Sequence, residues 1–110
     1  MSQAKSVLVI ALLATMAAGS ANAAIFSDEA KLGANVGAMK YCEENFANGQ
    51  ESKYKLLRLK TLKEYGELDS DQKIKALVMR KAAEDKGEYL GDKLDTDRCD
   101  SIRKLLFLKY

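Results

Sequence analysis

The sequence predicts an all-α fold: a small four-helix domain around its N-terminal helix, with one disulfide joining the first and last helices. No stretch alternates polar and apolar residues as a half-buried strand does, and the chain contains no proline. Apolar residues recur at helical spacing in four segments, separated by glycine, asparagine and aspartate. The only two cysteines, Cys42 and Cys99, fall in the first and the last of these segments.

Residues 1–23 have the composition of a secretory signal peptide, and we expect them to be removed. Lys5 supplies a positive region, residues 7–18 form an apolar core, and residues 21–23 (Ala-Asn-Ala) fit the small-x-small cleavage rule. The apolar core is shorter than the roughly 20 residues that span a bilayer, and an uncleaved anchor is the alternative. Cleavage leaves a single helical domain, residues 24–110, that we expect in the bacterial periplasm or outside the cell, without stable membrane insertion.

The stretch from residue 31 to residue 46 is predicted to be the central helix, because it has two apolar faces. At about 100° per residue, one face carries small side chains closed by a tyrosine: Ala30, Ala34, Gly37, Ala38 and Tyr41. The other face is bulkier: Leu32, Val36, Met39 and Phe46. A surface helix needs one apolar stripe, so a helix with two is expected to lie between neighbours. Ser27 or Asp28 is its expected N-cap, and Asn48-Gly49 its end.

Three further helices follow, each with a cap and an apolar stripe. The second, about residues 53–65 after Ser52, has an expected core face of Leu56, Leu59 and Leu62, with Tyr54 and Tyr65 beside it. The third, about residues 71–90, is capped by Asp69 or Ser70, ends at Gly91 and has an expected stripe of Ile74, Leu77, Val78, Met79, Ala82, Ala83 and Leu90. The fourth, about residues 97–109 after Asp95 or Thr96, has an expected core face of Ile102, Leu105 and Leu106.

Cys42 and Cys99 are predicted to form a structural disulfide. The periplasm permits disulfides, and two cysteines in an exported chain favour one bond. Closing so long a loop is worth about 4 kcal/mol on a chain-entropy treatment, which is large beside a total stability of roughly 5–15 kcal/mol. A labile or switchable disulfide is the alternative.

The composition disfavours catalysis, and we predict a non-catalytic protein with no cofactor and no metal. The chain contains no histidine, which removes the usual triads, most zinc sites and the commonest general base. Its carboxylate clusters fall at predicted helix ends, where such groups are ordinary caps or solvated charges. They are Glu43-Glu44 and the group of Asp95, Asp97 and Asp100.

Two stretches are candidates for contact with a partner. The second helix carries five cations without an intervening acid, of which Lys53, Lys60 and Lys63 share a face. They are either a solvated face balanced by nearby glutamates or a contact for an anionic partner such as lipid headgroups, lipopolysaccharide or an acidic protein. The run from residue 105 to Tyr110 has more apolar residues than one face requires. Phe107 and Leu108 are expected to be buried against the first helix or the N-terminal arm; an exposed partner or dimer patch is the alternative.

Gly33 and Gly37 form a Gly-x-x-x-Gly pair that lets another helix approach closely. Packing within the chain is the first interpretation of this pair, and a homodimer contact is the second.

Two cysteine segments resemble those of the exported, uncharacterised YjjA-like proteins. Residues 37–42 (GAMKYC) are similar to their Gly-x-x-x-Tyr-Cys segment, and residues 99–104 (CDSIRK) to their later Cys-Asp-x-Val-x-Lys helix. The resemblance covers about 12 residues and implies no activity. In architecture alone, a small exported helical domain with one disulfide is also similar to the HdeA-like acid-stress chaperones.

The leading functional hypothesis is a periplasmic protein that binds another protein or an envelope component. The alternative is an acid-stress holdase. Without Lys5 the chain has 17 basic and 16 acidic residues, and acid would leave the basic charges uncompensated. A second alternative is an inhibitor of, or immunity protein against, an envelope-acting enzyme. Near-neutral charge and the export signal disfavour nucleic acid as a partner.

Overall fold

The computed structural model describes residues 26–110, which form four helices and one short hairpin. In chain order they are α1 (Asp28–Asn45), α2 (Glu51–Gly66), α3 (Ser70–Lys86), β1 (Glu88–Tyr89), β2 (Asp92–Lys93) and α4 (Thr96–Lys109). The predicted four-helix, all-α class is confirmed. The predicted signal peptide and the start of the N-terminal arm lie outside the described residues.

The helix starts follow local capping chemistry. Ser27 caps α1 and Asp95 caps α4, each accepting a hydrogen bond from a backbone amide in the first turn. α3 begins with a capping box, in which Asp69 and Gln72 accept hydrogen bonds from each other's backbone amides. The expected cap Ser52 is wrong, because α2 has already begun before it and has no side-chain cap.

The end of α3 also differs from the prediction. The helix ends at Lys86 because Gly87 adopts a left-handed conformation with a φ of 65°. The next residues form an antiparallel hairpin whose turn contains Leu90 and Gly91, with φ values of 51° and 91°. Strands of two residues are too short to show an alternating pattern, so the periodicity of the sequence did not reveal them.

α1 occupies the central position predicted for it and contacts each of the other helices. Its small face lies against α3, and its bulkier face contributes to the main core. That core also takes side chains from α2, from α4 and from the segment after the hairpin. Its larger members are Met39, Cys42, Tyr54, Leu57, Leu94, Cys99, Ile102 and Leu106.

The backbones of α1 and α3 meet at Gly33 and Gly37. A Cβ atom on Gly33 would lie 2.7 Å from the carbonyl carbon of Ala76, and one on Gly37 would lie 2.9 Å from the Cβ of Ala83. Either added atom would force the helices apart, and both glycines are buried. The structure therefore shows this pair packed against a helix of the same chain rather than free for a second copy.

The disulfide between Cys42 and Cys99 joins α1 to α4, as predicted, with 5.7 Å between the two Cα atoms. Both cysteines are fully buried within the main core. The bond therefore ties the last helix of the chain to the central one.

The expected core stripe of α3 is correct only in part: Ala83 is buried, and Met79, Ala82 and Leu90 are partly buried. Ile74, Leu77 and Val78 face solvent, and the fully buried residues of this helix are Ala76 and Ala83. Close approach at the α1 glycines admits only small side chains from α3. The bulky side chains of that helix consequently lie on its opposite face.

The expected core faces of α2 and α4 are correct only in part. α2 buries Tyr54, Leu57 and Thr61, whereas Leu56 and Leu59 are exposed. The Thr61 hydroxyl can be buried because it donates a hydrogen bond to the Leu57 carbonyl at 2.9 Å. α4 buries Ile102 and Leu106 as predicted, but Leu105 is exposed.

Gly37→Ala should lower the free energy of unfolding by about 1–3 kcal/mol, since the added methyl overpacks the α1–α3 contact. Gly66→Ala is the matched control, because nothing lies within 4 Å of a Cβ at that helical position. It should be neutral or stabilising by up to about 1 kcal/mol. Urea unfolding of the oxidised proteins measures both, and equal stability of the two variants would contradict the packing described.

Candidate interaction surface

Most of the candidate contact residues of α2 and α4 converge on one surface. Lys60, Phe107 and Tyr110 line a small cavity of about 110 Å³, together with Leu56 and Leu57. The Lys53 ammonium lies 5.9 Å from the centroid of the Phe107 ring. We call the following set the α2/α4 surface: Lys53, Leu56, Lys60, Lys63, Phe107 and Tyr110. Leu108 adjoins this surface on the outer side of α4.

Phe107 and Leu108 are 51% and 86% exposed, so their expected burial against the first helix is wrong. The start of the N-terminal arm lies outside the described residues. The physical reason lies in the face that α4 turns inward. Cys99 and Ile102 point into the core, and at about 100° per residue Leu108 lies on the side of the helix opposite Cys99. Both side chains are exposed, as a partner or dimer patch requires.

Tyr110 joins the end of α4 to α2. Its hydroxyl donates a hydrogen bond to the Glu64 carboxylate. Burial, the hydrogen bond to Glu64 and the negative charge of Glu64 all raise the pKa of Tyr110 far above its usual range. The tyrosine is therefore neutral under all physiological conditions, and its ring is held beside the exposed lysines.

The five cations of α2 divide into two groups. Lys55 and Arg58 face α1, where both pair with Glu43 at 3.6 and 3.2 Å. Within residues 26–110, no salt bridge joins Lys53, Lys60 or Lys63 to a carboxylate. Two of the cations thus link helices. The other three, which the sequence singled out by their common face, carry charge that no bridge neutralises.

Lys60 and Lys63 line a shallow cavity of about 450 Å³ with Glu64, Glu67, Lys109 and Tyr110. Two carboxylates lie among these cations, as the interpretation of a balanced face expected. One of them, Glu64, is engaged by Tyr110, which leaves fewer acceptor sites for the lysines. The cavity is consequently a mixed hollow of three lysines and two glutamates, with a small excess of positive charge, beside the exposed apolar side chains.

Leu56 belongs to this surface, although the spacing of the leucines in α2 predicts it in the core. The useful signal was a competing stripe, Tyr54, Leu57 and Thr61, which also has helical spacing but contains a polar residue. Thr61 satisfies its hydroxyl within α2, so the polar residue could be buried and the leucine displaced outward.

A second groove, of about 450 Å³, lies between α1, β1 and α4 and includes Asn35, Tyr89, Arg98 and Leu105. The Tyr89 hydroxyl donates a 2.6 Å hydrogen bond to the side-chain oxygen of Asn35. Burial raises the pKa of Tyr89, and the charge of Arg98 offsets this only in part. No carboxylate, thiol or imidazole lines the groove, whereas Arg98 and Lys109 do, so its chemistry is hydrogen bonding, apolar contact and positive charge.

Across residues 26–110 there is no group of three histidine, cysteine or acidic side chains placed to hold a metal ion. Over the same residues no helix has the length and apolar composition needed to cross a bilayer.

Comparison of the chain with protein-family models, with curated proteins and with solved structures finds no match. The resemblance to the YjjA-like proteins therefore stays a prediction from the two cysteine segments.

Ionisation of Tyr89 should lower the free energy of unfolding at alkaline pH. Its pKa is higher in the folded than in the unfolded state, so its contribution is complete below about pH 10 and is lost as the pH rises through the folded value. Tyr89→Phe should be less stable near neutral pH, by about 1 kcal/mol for the lost hydrogen bond, but its free energy of unfolding should fall less as the pH rises from about 10 to 12. Urea unfolding at several pH values measures this, and identical pH slopes for both proteins would argue against the assignment.

Proposed function

We propose that this chain is a non-catalytic exported protein that binds an anionic, amphiphilic component of the bacterial envelope through the α2/α4 surface. One observation supports this most: lysines without a bridging acid surround exposed aromatic and aliphatic side chains on the same surface. Lipid assemblies with phosphate headgroups and acyl chains have the complementary chemistry.

The cationic part of the surface would attract phosphate groups. A lysine near an anionic lipid surface contributes about 1 kcal/mol, so Lys53, Lys60 and Lys63 together favour a reversible attachment. The chain as a whole is nearly neutral. The attraction would therefore depend on this local cluster rather than on overall charge.

The apolar part would enter the boundary between headgroups and acyl chains. Full burial of a leucine or phenylalanine side chain is worth about 1.5–3 kcal/mol, and Leu108 is almost entirely exposed before binding. Phe107 lies beside Lys53, so ring and ammonium would reach the same boundary together.

The test is flotation of the oxidised protein with vesicles of phosphatidylglycerol or of phosphatidylcholine. We expect binding to the anionic vesicles only, and weaker binding as salt concentration rises. The triple variant Lys53→Glu, Lys60→Glu and Lys63→Glu should weaken it on the order of a hundredfold or more, at about 1 kcal/mol for each lysine removed.

The matched control is Lys75→Glu, Lys86→Glu and Lys93→Glu, which changes the net charge equally at exposed positions away from the surface. It should bind almost as the natural protein does. Equal losses in both triple variants would show that only net charge matters. Failure to bind vesicles, together with capture of an acidic protein by the same surface, would replace lipid with protein as the partner.

An acid-stress holdase is the second candidate, because a glutamate links three of the four pairs of packed helices. The Glu84 carboxylate of α3 lies 3.6 Å from the Lys40 ammonium of α1. Glu43 of α1 forms salt bridges with Lys55 and Arg58 of α2. Glu64 of α2 accepts a hydrogen bond from the hydroxyl of Tyr110, which follows α4. In strong acid all three carboxylates would be protonated, and repulsion among the remaining cations would loosen the domain while the disulfide held it together.

This candidate predicts loss of near-ultraviolet dichroism and binding of the dye ANS near pH 2–3, with helicity retained. The variant Glu43→Gln with Glu84→Gln should undergo the change at higher pH, because both interhelical ion pairs are already absent. Glu44→Gln with Glu88→Gln, at exposed positions, is the control. An unchanged tertiary signal down to about pH 2 would eliminate the holdase.

A further inference from the structure

The outward face of α3 is a second exposed apolar surface, separate from the α2/α4 surface. Ile74 and Val78 are each 65% exposed and Leu77 is 43% exposed. Ile74 and Val78 lie on the side of the helix opposite Ala76 and Ala83, which contact α1, and Leu77 lies at the edge of that side.

Charged residues continue this face in both directions along the helix. Asp71, Ile74, Val78 and Lys81 follow one another at alternating intervals of three and four residues, which is the spacing of a coiled-coil seam. We call these residues the α3 seam. All of them are exposed, and the seam carries a negative charge at its N-terminal end and a positive charge at its C-terminal end.

We propose that two copies of this protein pair through their α3 seams in antiparallel orientation. The two-fold axis of this pair lies at the level of residue 76 along α3. Ile74 of one copy then lies against the partner's Val78, and Asp71 lies against the partner's Lys81. The symmetry repeats both contacts, so one patch is complementary to itself. The apolar pairs occupy the centre, and an ion pair closes each end.

The charge pattern favours a second copy over an unrelated occupant. A parallel pair would place Asp71 against Asp71 and Lys81 against Lys81, whereas the antiparallel pair matches opposite charges at both ends. Within its own helix Lys81 has only a 3.9 Å contact with Asp85, and both side chains are exposed. Such a contact is worth little in water, so Lys81 is available to the partner.

Leu77 adds to the same interface at its edge. The two-fold axis keeps this edge on the same side in both copies, so Leu77 of one copy lies beside the partner's Leu77, and the two side chains extend the apolar centre. A contact made by one helix from each copy would bury less than the roughly 1,600 Å² of a standard interface. The dimer should therefore be reversible and dependent on protein concentration.

The test is sedimentation of the oxidised protein, produced from the full chain with its own N-terminal segment, between about 10 μM and 1 mM, the range in which a small interface dissociates. The natural protein should shift from monomer to dimer. Asp71→Lys and Lys81→Asp each place like charges at both ends of the seam. Each should raise the dimer dissociation constant about tenfold or more.

The decisive measurement is sedimentation of a mixture of the two variants. The Asp71→Lys copy presents lysines at both ends and the Lys81→Asp copy presents aspartates, so an equimolar mixture should form dimers again. Lys86→Asp, on the same helix but outside the seam, should dimerise as the natural protein does. Circular dichroism of each variant checks that α3 is intact, since Asp71 also lies in its first turn.

A natural protein that stays monomeric throughout this range would overturn the proposal. A mixture that sediments no faster than its separate components would overturn it as well, as would dimers unaffected by either charge reversal.

Discussion

Contact between the backbones of α1 and α3 at Gly33 and Gly37 is the constraint on which the rest of the structure depends. No side chain separates the helices there, so α3 can present only residues such as Ala76 and Ala83 to its neighbour. The bulky residues of α3 are left on the outside. α1 keeps its second face for Met39 and Cys42, which join α2 and α4 in the main core.

A domain of this size can bury only a small core, and the buried disulfide adds to its stability by holding α4 against α1. The large apolar side chains that the core does not use form two surfaces of different chemistry. Exposed lysines without bridging acids accompany Phe107 and Leu108, which suits an anionic partner. Charges of both signs flank Ile74 and Val78 symmetrically, which suits a second copy. Exposed apolar patches of this kind mark contact sites more often than accidents of composition.

Local signals made much of the fold predictable. Capping residues, glycine stops and the two cysteines indicated the helices and the disulfide, and the two apolar faces of α1 indicated its central position. The buried faces of α2, α3 and α4 were harder to predict, because periodicity and hydrophobicity favour burial of Ile74 and Leu56 over burial of Ala76 and Thr61. For α3, only the close approach at Gly33 makes Ala76 the buried residue.

The residues of the candidate surface were recognised one by one, among them Lys53, Lys60 and Phe107. That they lie on one surface depends on how α4 packs against α2, which spacing along the chain does not encode.

The most direct test of the central claim is urea unfolding of Ile74→Ser with Val78→Ser, at about 5 μM so that self-association does not contribute. With small residues inward and bulky residues outward, the double variant should change the free energy of unfolding by less than about 1 kcal/mol. If these side chains formed the core of α3, as their periodicity predicts, the loss would be about 4 kcal/mol or more. That larger loss would contradict the packing of α3 on α1 described above.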